Sequence, residues 1–349
     1  MAVYTQIDNP ELFFQCKIYT GNGTDDTSIT LDGDENMQPD LVWLKRRDNA
    51  GRNRLFDSVR GATKWLRSDD TDAEGTAADS LKSFDSDGFT LGADSASGGI
   101  NVNINTETMA AWCWKAGTSF SNDASATSVG SIDSAGSINT TAGFGIIEWS
   151  GSAANATIAH GLQAVPKMII CKDTNDTYNW GVYHHKNTSA PEEDYLYLNT
   201  NAATATSSSV WNDTTPISTV FSVGNAGATN ASGTNNMIAY CFAEKQGFSK
   251  FGSYTGNGNA DGTYVHLGFR PAYVLIKRSS ATEYWGVLDN KRNTYNPANL
   301  YLAPNRSDAD TTYTTLDFLS NGFKHRSTGA MFNASGSTYI YMAFAEAPF

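Results

Sequence analysis

Ile18-Tyr19-Thr20-Gly21-Asn22-Gly23, followed by Pro39-Asp40-Leu41-Val42-Trp43-Leu44-Lys45-Arg46, is a pattern that this chain writes three times. It returns as Ile147-Glu148-Trp149-Ser150-Gly151 leading to Pro166-Lys167-Met168-Ile169-Ile170-Cys171-Lys172. It returns again as Tyr254-Thr255-Gly256-Asn257-Gly258 leading to Pro271-Ala272-Tyr273-Val274-Leu275-Ile276-Lys277-Arg278. Each copy ends on an apolar run: Ala111-Trp112-Cys113-Trp114-Lys115, Ala239-Tyr240-Cys241-Phe242-Ala243-Glu244 and Met342-Ala343-Phe344-Ala345-Glu346. From proline to the aromatic of that run the distance is 75, 76 and 73 residues (39 to 114, 166 to 242, 271 to 344). A spacing held that closely marks a tandem repeat of roughly a hundred residues.

The proline strand decides the fold class. In Leu41-Val42-Trp43-Leu44-Lys45, successive side chains point to opposite faces and both faces are apolar, as in a central, buried strand. A proline at its first residue disturbs no ladder bond. In copies one and three, Asp87-Gly88 and Asn321-Gly322 separate aromatics, a hairpin signal because glycine accepts positive φ. The second copy carries a Ser/Thr/Asn/Ala-rich stretch from 200 to 234 instead and reads as the degenerate one. No segment sustains a helical period over three turns. The expectation is an all-β chain of three tandem antiparallel β-sandwich domains, jelly-roll or lectin-like.

The boundaries follow from the spacing. Residues 1–17 form a leader whose Leu12-Phe13-Phe14 run could add an edge strand or hook onto a partner. Repeat one covers 18–117, a Ser/Gly/Ala-rich linker 118–143, repeat two 144–247 and repeat three 248–349. On this reading the first domain is loosely tethered while the last two are held close.

At −12 the formal charge argues against sequence-independent nucleic-acid binding, which needs a basic surface. The one basic patch, Lys45-Arg46-Arg47 with Arg52 and Arg54, reads as a charged strand end and loop. No signal peptide and no membrane-spanning run is visible. Cys16, Cys113, Cys171 and Cys241 lack the paired spacing of a zinc site; Cys113 and Cys241 are expected to face their own cores as small hydrophobes.

Candidate chemistry is sparse. His160 and His266 precede the prolines of copies two and three in turns. His184 and His185 are adjacent on a strand, so they face opposite ways and cannot share an ion. Asp70, Asp72, Glu74 and Gly75 copy the first half of a calcium loop, but its twelfth position is Leu81 where a bidentate Glu is needed. Glu148 is the least implausible catalytic acid, yet no constellation for catalysis stands out, and no catalytic residue, metal site or cofactor is assigned. Exposed aromatics are the better lead, since flat rings beside Asn, Asp and Gln can hold sugar rings. Tyr178, Trp211 and Tyr295, in polar loop-like stretches, are the expected ligand-binding residues.

The openings at Tyr19 and Tyr254, the His160-Gly161-Leu162 to Ile170 run, Trp-Gly-Val-Tyr-His from Trp180 and Ala-Trp-Cys-Trp-Lys-Ala-Gly from Ala111 resemble a family of tandem-repeat tail fibre and virion structural proteins of tailed bacteriophages, especially marine ones. The resemblance covers nearly the whole chain, although copy two has Gly151-Ser152 in place of the Gly-Asn-Gly opening. It implies a non-enzymatic virion protein assembled in the bacterial cytoplasm, a tail fibre or receptor-binding adhesin. It also implies other virion proteins, a homotrimer of itself and a host surface glycan or outer-membrane protein as partners, with no nucleic acid and no membrane insertion. The alternatives are a head-decoration, collar or tail-tip protein without a receptor role and, further off, a glycan depolymerase.

Overall fold

The computed structural model describes residues 5–95 and 100–347; the first four residues of the leader and the last two of the chain lie outside these. The chain is all-β, with antiparallel sheets and, among the described residues, three α-helices of one turn each and a 3-10 turn at Pro10–Leu12. In the first copy, strands Phe14–Thr20, Thr108–Trp114, Leu41–Arg46 and Arg54–Asp57 lie side by side in that order. Ser249–Thr255, Thr338–Ala347, Arg270–Arg278 and Trp285–Asp289 repeat the order in the third. In the second, Phe144–Ser150, Asn236–Ala243, Pro166–Asp173 and Gly181–His184 form the same four inside an eight-stranded sheet. Register agrees as well: Trp43 sits opposite Trp112, Ile170 opposite Tyr240 and Leu275 opposite Met342.

A smaller sheet covers one face of each. It is Thr27–Ile29, Gly88–Leu91 and Leu81–Asp85 in the first copy, and four strands from Tyr264–His266 to Ala298–Tyr301 in the third. The hairpins expected at Gly88 and Gly322 are present, with Asp85 opposite Gly88 and Leu319 opposite Gly322. The second copy has only Ala156–Ala159 paired with Val220–Val223 there, and its Ser/Thr-rich stretch instead forms the turns Ser208–Trp211 and Gly227–Asn230.

Both faces of each proline strand are buried, but against different things. Val42 and Leu44, Ile169 and Cys171, and Val274 and Ile276 enter three separate cores, one per copy. Cys113 and Cys241 point into those cores, and all four cysteines are free thiols. Leu41 and Trp43, Met168 and Ile170, and Tyr273 and Leu275 enter a fourth core that all three copies share. At its centre the aromatics that set the repeat spacing meet as a triangle. The ring centroids of Trp114 and Phe242 are 6.2 Å apart, those of Trp114 and Phe344 5.8 Å, and those of Phe242 and Phe344 6.1 Å.

Two expectations change, and of the leader's two alternatives the edge strand is the one present, since Phe14–Thr20 borders the first copy's sheet. The first copy is not loosely tethered, because its proline and closing strands supply Leu41, Trp43, Trp112 and Trp114 to the common core. Residues 118–143 are not a linker: Thr118–Asn122 and Ser134–Asn139 form a hairpin on the edge of the second copy's sheet. Short side chains suit a strand that needs few apolar contacts of its own, and Phe120 and Ile132 pack onto the core beneath. The leader packs on its own chain. Gln6 N–H bonds to Gln246 O at 3.1 Å, Ile7 is buried in the common core, and Phe14 stacks on Phe344 at 4.8 Å as the first residue of the first copy's opening strand.

Candidate functional site

The joints between copies use one set of backbone and side-chain bonds three times. Glu74 N–H donates to Thr174 O (2.8 Å), Thr204 N–H to Ser279 O (2.9 Å) and Asp310 N–H to Arg47 O (2.7 Å). Trp180 Nε1 donates to Arg67 O at 2.7 Å and Trp285 Nε1 to Tyr197 O at 3.1 Å; at the third joint Asn53 Nδ2 reaches Ala303 O at 3.3 Å. Each bond links a copy to a different neighbour, so the cycle closes within one chain.

Buried polar side chains, charged at two joints and a neutral histidine at the other, seal the same joints. Asp57, His184 and Asp289 each follow their proline (39, 166, 271) by 18 residues. Asp57 Oδ2 accepts from Arg60 Nε (2.6 Å) and from the Tyr240 hydroxyl (2.8 Å); Asp289 Oδ2 accepts from Arg292 Nε (2.6 Å) and Trp112 Nε1 (3.0 Å). His184 Nε2 pairs with Tyr341 O at 3.1 Å. An aspartate and an arginine three residues on, at a fixed distance from the proline, was the signal in the sequence. It was passed over because a lone acid-base pair carries no pattern by itself.

The putting-together of the repeated motifs is equally structural. Asn103, Asn230 and Asn333, buried in each copy, accept from the backbone N–H of Asn22, Ser152 and Asn257 at 3.0, 2.9 and 3.0 Å. They pin the opening turn, where a Cβ on Gly21, Gly151 or Gly256 would stand 2.3 Å from a carbonyl oxygen. Glycine is required there by contact with the opposite loop.

The basic patch is the expected strand end and loop, Lys45 and Arg46 closing the strand Leu41–Arg46, and most of it is absorbed into the fold. Lys45 is fully buried, its Nζ donating to Gly51 O (2.6 Å) and Ser307 O (3.0 Å); Arg54 lies over Trp65 at 4.9 Å. Arg47 pairs with Asp310, and Arg52 with Asp69 and Asp70. The calcium-like loop spends its carboxylates on cations: Asp72 meets Arg67, and Glu74 meets Arg60 and Lys64. Among the described residues no group of histidine, cysteine and carboxylate side chains is arranged to hold a metal ion. His160 Nε2 pairs with Ile217 O, and its Nδ1 accepts from Leu162 N–H, which makes it a neutral turn residue.

Of the expected ligand-binding aromatics, Tyr295 is 86% exposed and Tyr178 is 42% exposed, its ring lying against Gly227. Trp211 is a correction. It is 1% exposed, edge-on to Tyr183 at 5.9 Å, because Val210 and Trp211 are the inward side of a one-turn helix lying over the second copy's core. No ring contact or hydrogen bond among the described residues joins these three aromatics.

What the structure does bring together is a pair of adjoining lobes, one at the joint of the first and second copies and the other within the second copy. One lobe, of 370 Å³, is lined by Arg60, Lys64, Glu74, Glu148, Asn175 and Asn236. The other, of 480 Å³, is lined by Asn122, Asp123, Asp133, Glu148, Trp149 and Asn236. Glu148 and Asn236 stand where the lobes meet. Burial, then the Asp57 carboxylate, pushes Glu148 above its ordinary value against the pull of Lys64. Both lobes fall in the size range of small-molecule sites.

An all-β chain whose three copies share one core, with a polar cleft at a joint, is the class these observations define. The chain belongs to the family described as a domain of unknown function, DUF7483, whose model matches residues 9–348 and so runs through all three copies. No curated protein matches it.

Proposed function

We propose that the chain is a non-enzymatic structural protein of a tailed-bacteriophage particle, built as three β-sandwich modules of one kind closed into a ring, and that it serves as a tail fibre or receptor-binding adhesin. The observation that carries this reading is the use made of the repeated motifs. The proline strands, the opening turns and the closing aromatics all build cores and joints, which leaves loops and joint clefts as the places where recognition can vary. The motifs by which the sequence resembles virion repeat proteins are those same architectural ones. On this reading the partners are other virion proteins, further copies of the chain as a trimer, and a host surface glycan or outer-membrane protein.

Adsorption competition tests it: purified protein added to host cells should block attachment of the parent particle, and antibody labelling should place the chain on the tail. A second reading, a head-decoration, collar or tail-tip component, draws on the ring itself. Three similar faces around one axis suit a seat on a three-fold partner. Binding to capsid or tail with no effect on adsorption selects that reading, and release of products from host polysaccharide would select a depolymerase over both.

A further inference from the structure

We propose that the cleft between the first and second copies binds an uncharged saccharide, with Glu148 and Asn236 as the central hydrogen-bonding pair. This deepens the adhesin reading and rests on it for its biological sense, but not for its geometry.

The three joints act as controls for one another. Glu148, Ser253 and Ile18 occupy one position, opposite Ile238, Ile340 and Ala110 of their closing strands. At the joint of the third and first copies, Arg47 and Arg292 converge on Asp310 at 2.9 and 2.8 Å and close the space with ion pairs. At the joint of the second and third copies a 390 Å³ cleft is lined by Lys186, Asn187, Thr204, Ser253, Ser279 and Thr338. Only at the first joint does this position carry a carboxylate.

That carboxylate has no role in the fold. Among the described residues the Glu148 carboxylate makes no hydrogen bond and no ion pair, while Asp57 and Glu74 disfavour its charge and Lys64 favours it. Serine and isoleucine serve the same strand position in the other copies, so the ladder does not depend on it. Glu148 is exposed on the cleft wall, with Lys64 offsetting Asp57 and Glu74, and its carboxylate is left to accept hydrogens from a ligand.

The rest of the lining points to hydroxyl chemistry. The Asn236 amide offers a donor and an acceptor and Glu148 offers only acceptors, while Asn122 is held by Val129 O and Thr127 and Asn175 Oδ1 by the Asn236 N–H. Sugar hydroxyls both donate and accept, and match such a mixed set. An anion is disfavoured, because Arg60 and Lys64 are already held by Asp57 and Glu74 while Asp123 and Asp133 line the second lobe.

The test is ligand-observed NMR on the full chain with neutral oligosaccharides of glucose, galactose, mannose and N-acetylglucosamine, followed by titration of those that bind. At least one is expected to bind, with affinity lowered tenfold or more by Glu148→Ser and by Asn236→Ala, and unchanged by Ser253→Ala at the neighbouring joint. Thermal midpoints within a degree or two of the parent protein establish that the variants fold. The proposal is overturned if none of these sugars binds or if binding survives both substitutions. Adsorption competition separates the two readings. Blocking that persists in Glu148→Ser leaves the adhesin and removes this site, whereas sugar binding at the cleft without blocking leaves the site and removes the adhesin.

Discussion

Tyr240, on the closing strand of the second copy, donates its hydroxyl hydrogen to Asp57 of the first at 2.8 Å, onto the oxygen that also receives Arg60. The side chains of Asp57 and Arg60 are 0% and 4% exposed, so each is the other's main compensation for leaving water. Asp57→Ala should therefore cost about 3–5 kcal/mol by stranding a buried guanidinium. Tyr240→Phe should cost about 1 kcal/mol. Denaturant titrations of both single variants and the double variant check this. If the two effects simply add, the bond across the joint contributes nothing.

Because the fourth core draws on all three copies, the chain should unfold as one unit. Calorimetry is expected to give a single transition, and Trp114→Ala, which removes one corner of the aromatic triangle, to lower stability by about 3–5 kcal/mol without splitting that transition. A separate early melting of the first copy would show instead that the common core is weak.

Much of this was legible in the sequence, and what was not has a physical reason. Leu41 to Lys45 announce a strand buried on both faces, and the nearly constant distance from Pro39, Pro166 and Pro271 to Trp114, Phe242 and Phe344 announces the repeat. A one-dimensional pattern states that a face is buried but not what buries it. A second sheet of the same copy and the strands of a neighbour leave the same alternation, so separate domains and a shared core look alike. Lys45 misled for the opposite reason: its stem is long enough to bury while its ammonium finds the Gly51 carbonyl of its own copy and the Ser307 carbonyl across the joint. In residues 118–143 composition misled, since an edge hairpin tolerates Ser, Gly and Ala that a central strand would not. Glu148 was visible as an isolated acid, but its place in a cleft depends on Asn236 and Lys64, far away in sequence.

Trp211 and Tyr295 were expected to behave alike and should now behave oppositely. Tyr295→Ala removes an exposed ring and should change stability by no more than about 0.5 kcal/mol. Trp211→Ala opens a cavity against Tyr183 and should cost about 3–5 kcal/mol. Thermal melts of the two variants decide the point; equal losses would put Trp211 outside the core.

The last prediction concerns acid. His325 is 0% exposed, its ring 4.7 Å from Tyr254, and neither ring nitrogen has a hydrogen-bond partner. Burial pushes it down to about 3, and burial followed by the neighbouring His185 does the same to His184. An unfolded histidine titrates near 6.5. Between about pH 6.5 and 3 the unfolded chain therefore takes up protons that the folded chain refuses, so stability is full above that window and falls as pH falls through it. The thermal midpoint should be lower at pH 5 than at pH 7. In the first copy the place of His325 is held by Leu91, since Phe89 and Phe323 occupy matching hairpin positions. His325→Leu should thus fit the core, raise stability at pH 7 by about 1–3 kcal/mol through loss of two unsatisfied nitrogens, and shrink the drop between pH 7 and pH 5. A variant as acid-sensitive as the parent protein, or a parent protein with equal midpoints at the two pH values, would show that His325 takes up its proton while folded.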